Sequence, residues 1–134
     1  MICKLSVAVF AVAIAATVSI PGGISDIDSN DEGFQNAMSF AVARHNNASN
    51  DLYLRQVAGV VESKSQVVAG VRYFITVNLA KTNCTKANFA ELCTVHNDPV
   101  LAAPYQCKFT VWSKPWLNFI KVLDEECPVS TETS

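Results

Sequence analysis

The sequence predicts an α+β fold in which one helix is followed by a run of antiparallel strands. Three observations carry this expectation: an apolar stripe at helical spacing between Glu32 and Asn47, a two-residue alternation from Val71 to Leu79, and short connections between the β-rich stretches. The chain has 134 residues, half of them apolar and 16% charged, the size of one domain with an ordinary core.

The first element is an address. A single Lys4 is followed by an apolar run from Leu5 to Val18 broken only by Ser6 and Thr17. Such a run is shorter than the 20 or so apolar residues of a membrane span, and Pro21-Gly22-Gly23 follows at once. Residues 1–19 read as a secretory signal with small residues that permit cleavage between about residues 15 and 20, and residues 20–134 read as one domain. Removing the signal takes Cys3 with it and turns five cysteines into four, the even set that suits an oxidising compartment.

The helix comes next. Phe34, Ala37, Met38, Ala41 and Val42 fall at i, i+3, i+4, i+7 and i+8, with Asn30 or Asp31 as cap and Asp31 and Glu32 at the positive end of the dipole. His45-Asn46-Asn47 and Ser49-Asn50-Asp51 end it, because their side chains bond local backbone.

Leu54 to Lys64 is β-rich, and Val71, Tyr73, Ile75, Val77 and Leu79 then alternate with Arg72, Thr76 and Asn78. Tyr105 to Ser113 and Leu117 to Leu123 supply two further strands, and Asn83 to Pro104 reads as a long irregular connection. In a meander of this order the turns at Gln66 to Gly70 and at Pro115-Trp116 share one edge of the sheet. The Ser49-Asn50-Asp51 loop lies at the other edge. Four cysteines allow three connectivities. The meander favours Cys107 with Cys127 at the open end of one hairpin and Cys84 with Cys93 across a small loop, with the other pairings open.

Several functions lack a chemical basis here. A formal charge of −2 without a basic cluster offers nucleic acid no footprint. The two histidines, His45 and His96, have no nucleophile or second base at useful spacing; His45 suits a helix C-terminus and His96 a polar loop beside Asp98. No Cys-x-x-Cys pair suggests zinc, so neither an enzyme nor a metal or cofactor site is expected.

The turns carry the signal. A hairpin tip normally bears Asn-Gly or similar polar residues, yet one tip here is Gln66-Val67-Val68-Ala69-Gly70 and the other holds Pro115-Trp116. Apolar side chains at one exposed edge mark a partner site, with Trp116 as anchor; the competing reading folds Val67, Val68 and Trp116 into the core.

The pair Gly22-Gly23, the pentapeptide Gln66 to Gly70, the Pro115-Trp116 pair and the cysteine order together resemble a secreted, type 2 cystatin from Gly22 to Cys127. The resemblance implies an antiparallel sheet of four to five strands wrapped around one long helix. It also implies inhibition of papain-like cysteine proteases such as cathepsins, by a three-part wedge that enters the active-site cleft. Carried onto this chain, Pro21, Gly22 and Gly23 form the first part, Gln66, Val67, Val68, Ala69 and Gly70 the second, and Pro115 and Trp116 the third. Family members commonly carry larger aliphatic residues before the glycine pair, where this chain has Ile20 and Pro21.

The Ser49-Asn50-Asp51 segment matches the one through which some members inhibit legumain, with Asn50 as the substrate-like residue; the same segment also reads as an ordinary turn after a helix. Two glycosylation sequons occur, at Asn47 and Asn83. The resemblance permits a monomer or a domain-swapped dimer. A non-inhibitory structural or host-defence role on the same scaffold is the alternative.

Overall fold

The computed structural model describes residues 23–87 and 92–128. The segment 1–19 read above as a signal, together with Pro21 and Gly22, lies outside the described residues.

Five strands form one antiparallel sheet in sequential order: β1 (Ile24–Asp26), β2 (Tyr53–Val68), β3 (Gly70–Thr85), β4 (Tyr105–Lys114) and β5 (Phe119–Glu126). Helix α1 (Glu32–Ala48) crosses one face of it, and a short helix α2 (Pro99–Ala102) precedes β4.

Helix α1 starts at Asp31, whose carboxylate accepts from the Phe34 amide at 3.0 Å, and ends where the Ser49 amide donates to the His45 carbonyl. Its stripe of Phe34, Ala37, Met38 and Ala41 is buried against Tyr73, Ile75, Val77, Leu79, Cys107, Phe109, Val111 and Val122. Each side chain of Val, Leu or Phe size buried there contributes about 1.5–3 kcal/mol. The stripe is longer than its apolar residues suggest. Val42 is only partly buried, whereas His45 and Asn46 continue the face and are buried.

Those polar residues are satisfied by partners outside the helix. The His45 ring meets Glu125 at 2.7 Å and the Tyr105 hydroxyl at 2.8 Å, so it braces the helix end against β4 and β5. Asn46 exchanges two hydrogen bonds with the Arg55 backbone, at 3.1 and 3.0 Å. Arg55 is itself buried; it donates to the Leu79 and Ala103 carbonyls and pairs with Asp51 at 3.0 Å.

The strands outgrow their sequence signals. Residues 66–70 are not a five-residue loop: β2 runs to Val68, β3 starts at Gly70, and Ala69 alone separates them. The reason is ladder pairing, which continues through Gln66↔Arg72, Val67↔Val71 and Val68↔Gly70. At the second tip Leu117 is not in a strand; Pro115–Leu117 is a 3-10 turn closed by Asn118 at φ 52°, and β5 begins only at Phe119. The connection after β3 is shorter than its polar composition implies, since the strand extends to Thr85 and α2 forms under an Asp98 cap. Two disulfides, Cys84–Cys93 and Cys107–Cys127, staple this connection and the open end of the last hairpin.

Candidate functional site

One end of the sheet gathers segments that are far apart in the chain. The register aligns Ile24 with Gln66, Gln66 with Arg72, Arg72 with Trp112 and Trp112 with Lys121, so these five residues form one rung across the sheet. Beyond that rung lie Gly23, the tip at Val67 to Gly70 and the tip at Pro115 to Leu117. A three-residue β1 suffices to bring the N-terminal segment there, because Ile27 continues the pairing by exchanging hydrogen bonds with Ser63 at 3.1 and 2.6 Å.

The apolar residues of this end point outward. Val67 is 66% exposed and Trp116 65%, with Ile24 and Leu117 also exposed, so neither tip folds into the core. Val68 is half-buried and Pro115 exposed. Exposed apolar residues from three segments thus gather at one end of the sheet, and such clusters mark partner surfaces.

Gly70 answers to its own fold. It adopts φ +90°, and a Cβ there would stand 2.3 Å from the Ser113 carbonyl oxygen, so any side chain would force the first tip away from β4. The close backbone approach that glycine permits is therefore used, at this residue, inside the molecule.

Sequence reasoning missed the residues that hold the edge. The Trp112 indole donates to the Ala69 carbonyl at 2.8 Å, and its ring lies 5.3 Å from that of Phe119. Lys114 places its ammonium 4.3 Å from the Trp112 ring and 4.6 Å from the Phe119 ring. An aromatic residue on the polar side of a strand next to a tip was the available signal for Trp112; Leu117 needed only to be read with Pro115-Trp116. On the other face a cleft of about 230 Å³, lined by Gly33, Asn36, Tyr73, Ser113 and Pro115 among others, separates the helix start from the second tip.

The Ser49-Asn50-Asp51 segment sits at the opposite end, where β2 begins, on the order of 50 Å away along a 16-residue strand. Asn50 is exposed. Its neighbours are held: the Ser49 hydroxyl accepts from the Asp51 amide at 3.3 Å, Lys86 donates to the Ser49 carbonyl, and Asp51 pairs with Arg55. Of the two sequon residues, both exposed, Asn47 lies in the last turn of α1, while the Asn83 carboxamide accepts from the Thr94 amide at 3.1 Å.

His45 lies close to Cys107 and Cys127, yet both sulfurs are consumed by their disulfide and the ring is held by Glu125 and Tyr105. His96 is tied by its backbone to Lys81, its amide donating to that carbonyl at 3.2 Å.

The comparisons with known proteins agree with this architecture. The cystatin domain family matches residues 22–116. A cystatin of Oncorhynchus mykiss is 43% identical over 92% of this chain and 96% of its own length. A cystatin-C of Paralichthys olivaceus is 46% identical over 90% and 92% respectively. Among solved structures, that of dimeric human cystatin F superposes with a TM-score of 0.70 at 28% identity, covering 83% of this chain and 90% of that one. The chain belongs to the cystatin family, whose members are inhibitors of cysteine proteases and not enzymes.

Proposed function

We propose that this cystatin inhibits papain-like cysteine proteases, the cathepsins among them, by inserting three segments into the active-site cleft: Pro21, Gly22 and Gly23; Gln66, Val67, Val68, Ala69 and Gly70; and Pro115 and Trp116. The observation that carries the reading is the edge itself, where Val67 and Trp116 stand two-thirds exposed on adjacent tips beside the N-terminal strand.

Such a wedge works by occlusion. It fills the cleft while presenting no peptide carbonyl in attack geometry to the catalytic thiolate, so proximity without orientation yields no cleavage. Val67 and Trp116 lose their water on docking, Trp116 lays a rigid aromatic face on the partner, and tips already set by strand pairing keep the ordering cost low. Titrating active papain with the purified, secreted chain tests this: a linear fall to zero activity at one equivalent is required, and full activity at excess inhibitor means a non-inhibitory role on the same scaffold.

The leader at residues 1–19 directs secretion in this reading, leaving a domain from residue 20 onward. Intact-mass measurement of the secreted form locates the cut.

A second site for legumain at Ser49, Asn50 and Asp51 is favoured by one feature, the exposed Asn50 between two neighbours whose positions are fixed. Because it lies at the far end of β2 from the wedge, both protease classes could be bound at once. Loss of legumain inhibition in Asn50→Ala, with papain inhibition intact, is the expected result.

A further inference from the structure

We propose that Trp112 is the positioning residue of the wedge: its side chain fastens the first tip to the second and so sets the shape of the binding edge before any protease arrives. The proposal rests on the wedge reading above, and it adds a residue that stands outside the three inserted segments.

Trp112 lies on β4 between Arg72 and Lys121, on the sheet face opposite the buried Val111. Its indole N–H is a donor only, and it finds the carbonyl of Ala69 at 2.8 Å, 43 residues away. Ala69 is the single residue between β2 and β3, so this bond acts on the point where the first hairpin reverses.

The other side of the ring belongs to the second tip. Phe119, the first strand residue after that tip, tilts against it at 5.3 Å, and Lys114, the last before the tip, sits over both rings. Arg72 approaches the same ring from β3 at 5.8 Å. One indole therefore joins the reversal of hairpin one to both shoulders of hairpin two.

The two hairpins are joined otherwise by the β3–β4 ladder, which begins only at Val71↔Ser113, and by the close approach of Gly70 to the Ser113 carbonyl. Ala69 lies beyond the ladder, where the indole bond restrains it. The bond is at the surface, where a hydrogen bond contributes little to global stability because water competes for both partners. Its effect falls on preorganisation, which governs affinity without new contacts.

The test compares wild type with Trp112→Phe, which keeps a stacking ring and loses the N–H, and with Trp112→Leu, which loses both. Hydrogen exchange by NMR, thermal unfolding and papain inhibition are measured on each secreted chain. In wild type the Trp112 indole proton is expected to exchange at least about tenfold more slowly than that of the exposed Trp116. In Trp112→Phe, amide exchange from Val67 to Gly70 should accelerate severalfold while Ile75 and Phe109 stay protected, and the inhibition constant should weaken at least about fivefold.

Equal exchange of the two indole protons overturns the tether. So does a Trp112→Phe chain that inhibits as well as wild type. Weakened inhibition accompanied by a matching loss of protection at Ile75 and Phe109 would make Trp112 a stability residue and also overturn the proposal. A wild-type chain that leaves papain fully active removes the wedge reading and this proposal with it.

Discussion

Trp116→Ala separates partner contact from folding, because most of the side chain lies outside the fold. A tryptophan offers up to about 250 Å² of surface. With 65% of it exposed, about 160 Å² is available to a protease. Full burial at about 25 cal/mol/Å² would contribute about 4 kcal/mol, an upper bound before ordering and imperfect pairing are subtracted. Even a third of it, about 1.4 kcal/mol, is tenfold in affinity. The expected outcome is thus a rise in the papain inhibition constant of at least about tenfold, reaching about a hundredfold where the side chain acts as a central anchor. The remaining third of the surface touches the fold, so truncation should lower the melting temperature by only a few degrees. Inhibition constants come from competition with a fluorogenic substrate, and stability from thermal unfolding of the same preparations. An unchanged inhibition constant alongside a clearly lowered melting temperature would refute the reasoning and make Trp116 a structural residue.

Other expectations concern the frame of the edge and its chemistry. Gly70→Ala should lower both melting temperature and affinity, since φ +90° alone costs about 1–3 kcal/mol for a side-chain residue and the new Cβ meets the Ser113 carbonyl; an unaltered melting curve would contradict this. Replacing Cys107 and Cys127 together by serine opens a 20-residue separation and should cost about 3 kcal/mol, read as a shifted denaturant midpoint. Burial, and secondarily the Asp31 carboxylate, raise the Tyr73 hydroxyl pKa above its ordinary value of 10.0, so the unfolded chain ionises first and stability should fall as pH rises past 10, more gently in Tyr73→Phe. A glycan on Asn47 should obstruct legumain at Asn50 and leave papain inhibition unchanged, which enzymatic deglycosylation followed by both assays checks.

Local pattern was sufficient wherever one residue's periodicity or turn chemistry decided the outcome. The stripe from Phe34 to Ala41 predicts which face of α1 is buried, and the alternation from Val71 to Leu79 predicts which side chains of β3 meet it. The meander order placed both tips at one end and the Asn50 loop at the other, because antiparallel neighbours reverse direction at every turn. Apolar residues at those turns were legible as a candidate edge because nothing in turn chemistry calls for them.

Tertiary structure decided what depends on pairs remote in the chain. Ladder pairing carried both strands into residues 66–70 and left Ala69 alone at the reversal. His45 looked like a helix terminus and proved to be a buried brace, since Glu125 and Tyr105 arrive from strands 60 or more residues away. Nothing local to Gly70 shows that the Ser113 carbonyl occupies the space a side chain would need. Trp112 gave no sign of its bond to Ala69, because a contact across 43 residues has no local signature. The sequence by itself determined that one helix and a meander would raise an apolar edge out of solvent-facing turns. Only the folded chain determined which side chains hold that edge in shape, because hydrogen bonds and close approaches between distant segments exist only once the strands are in register.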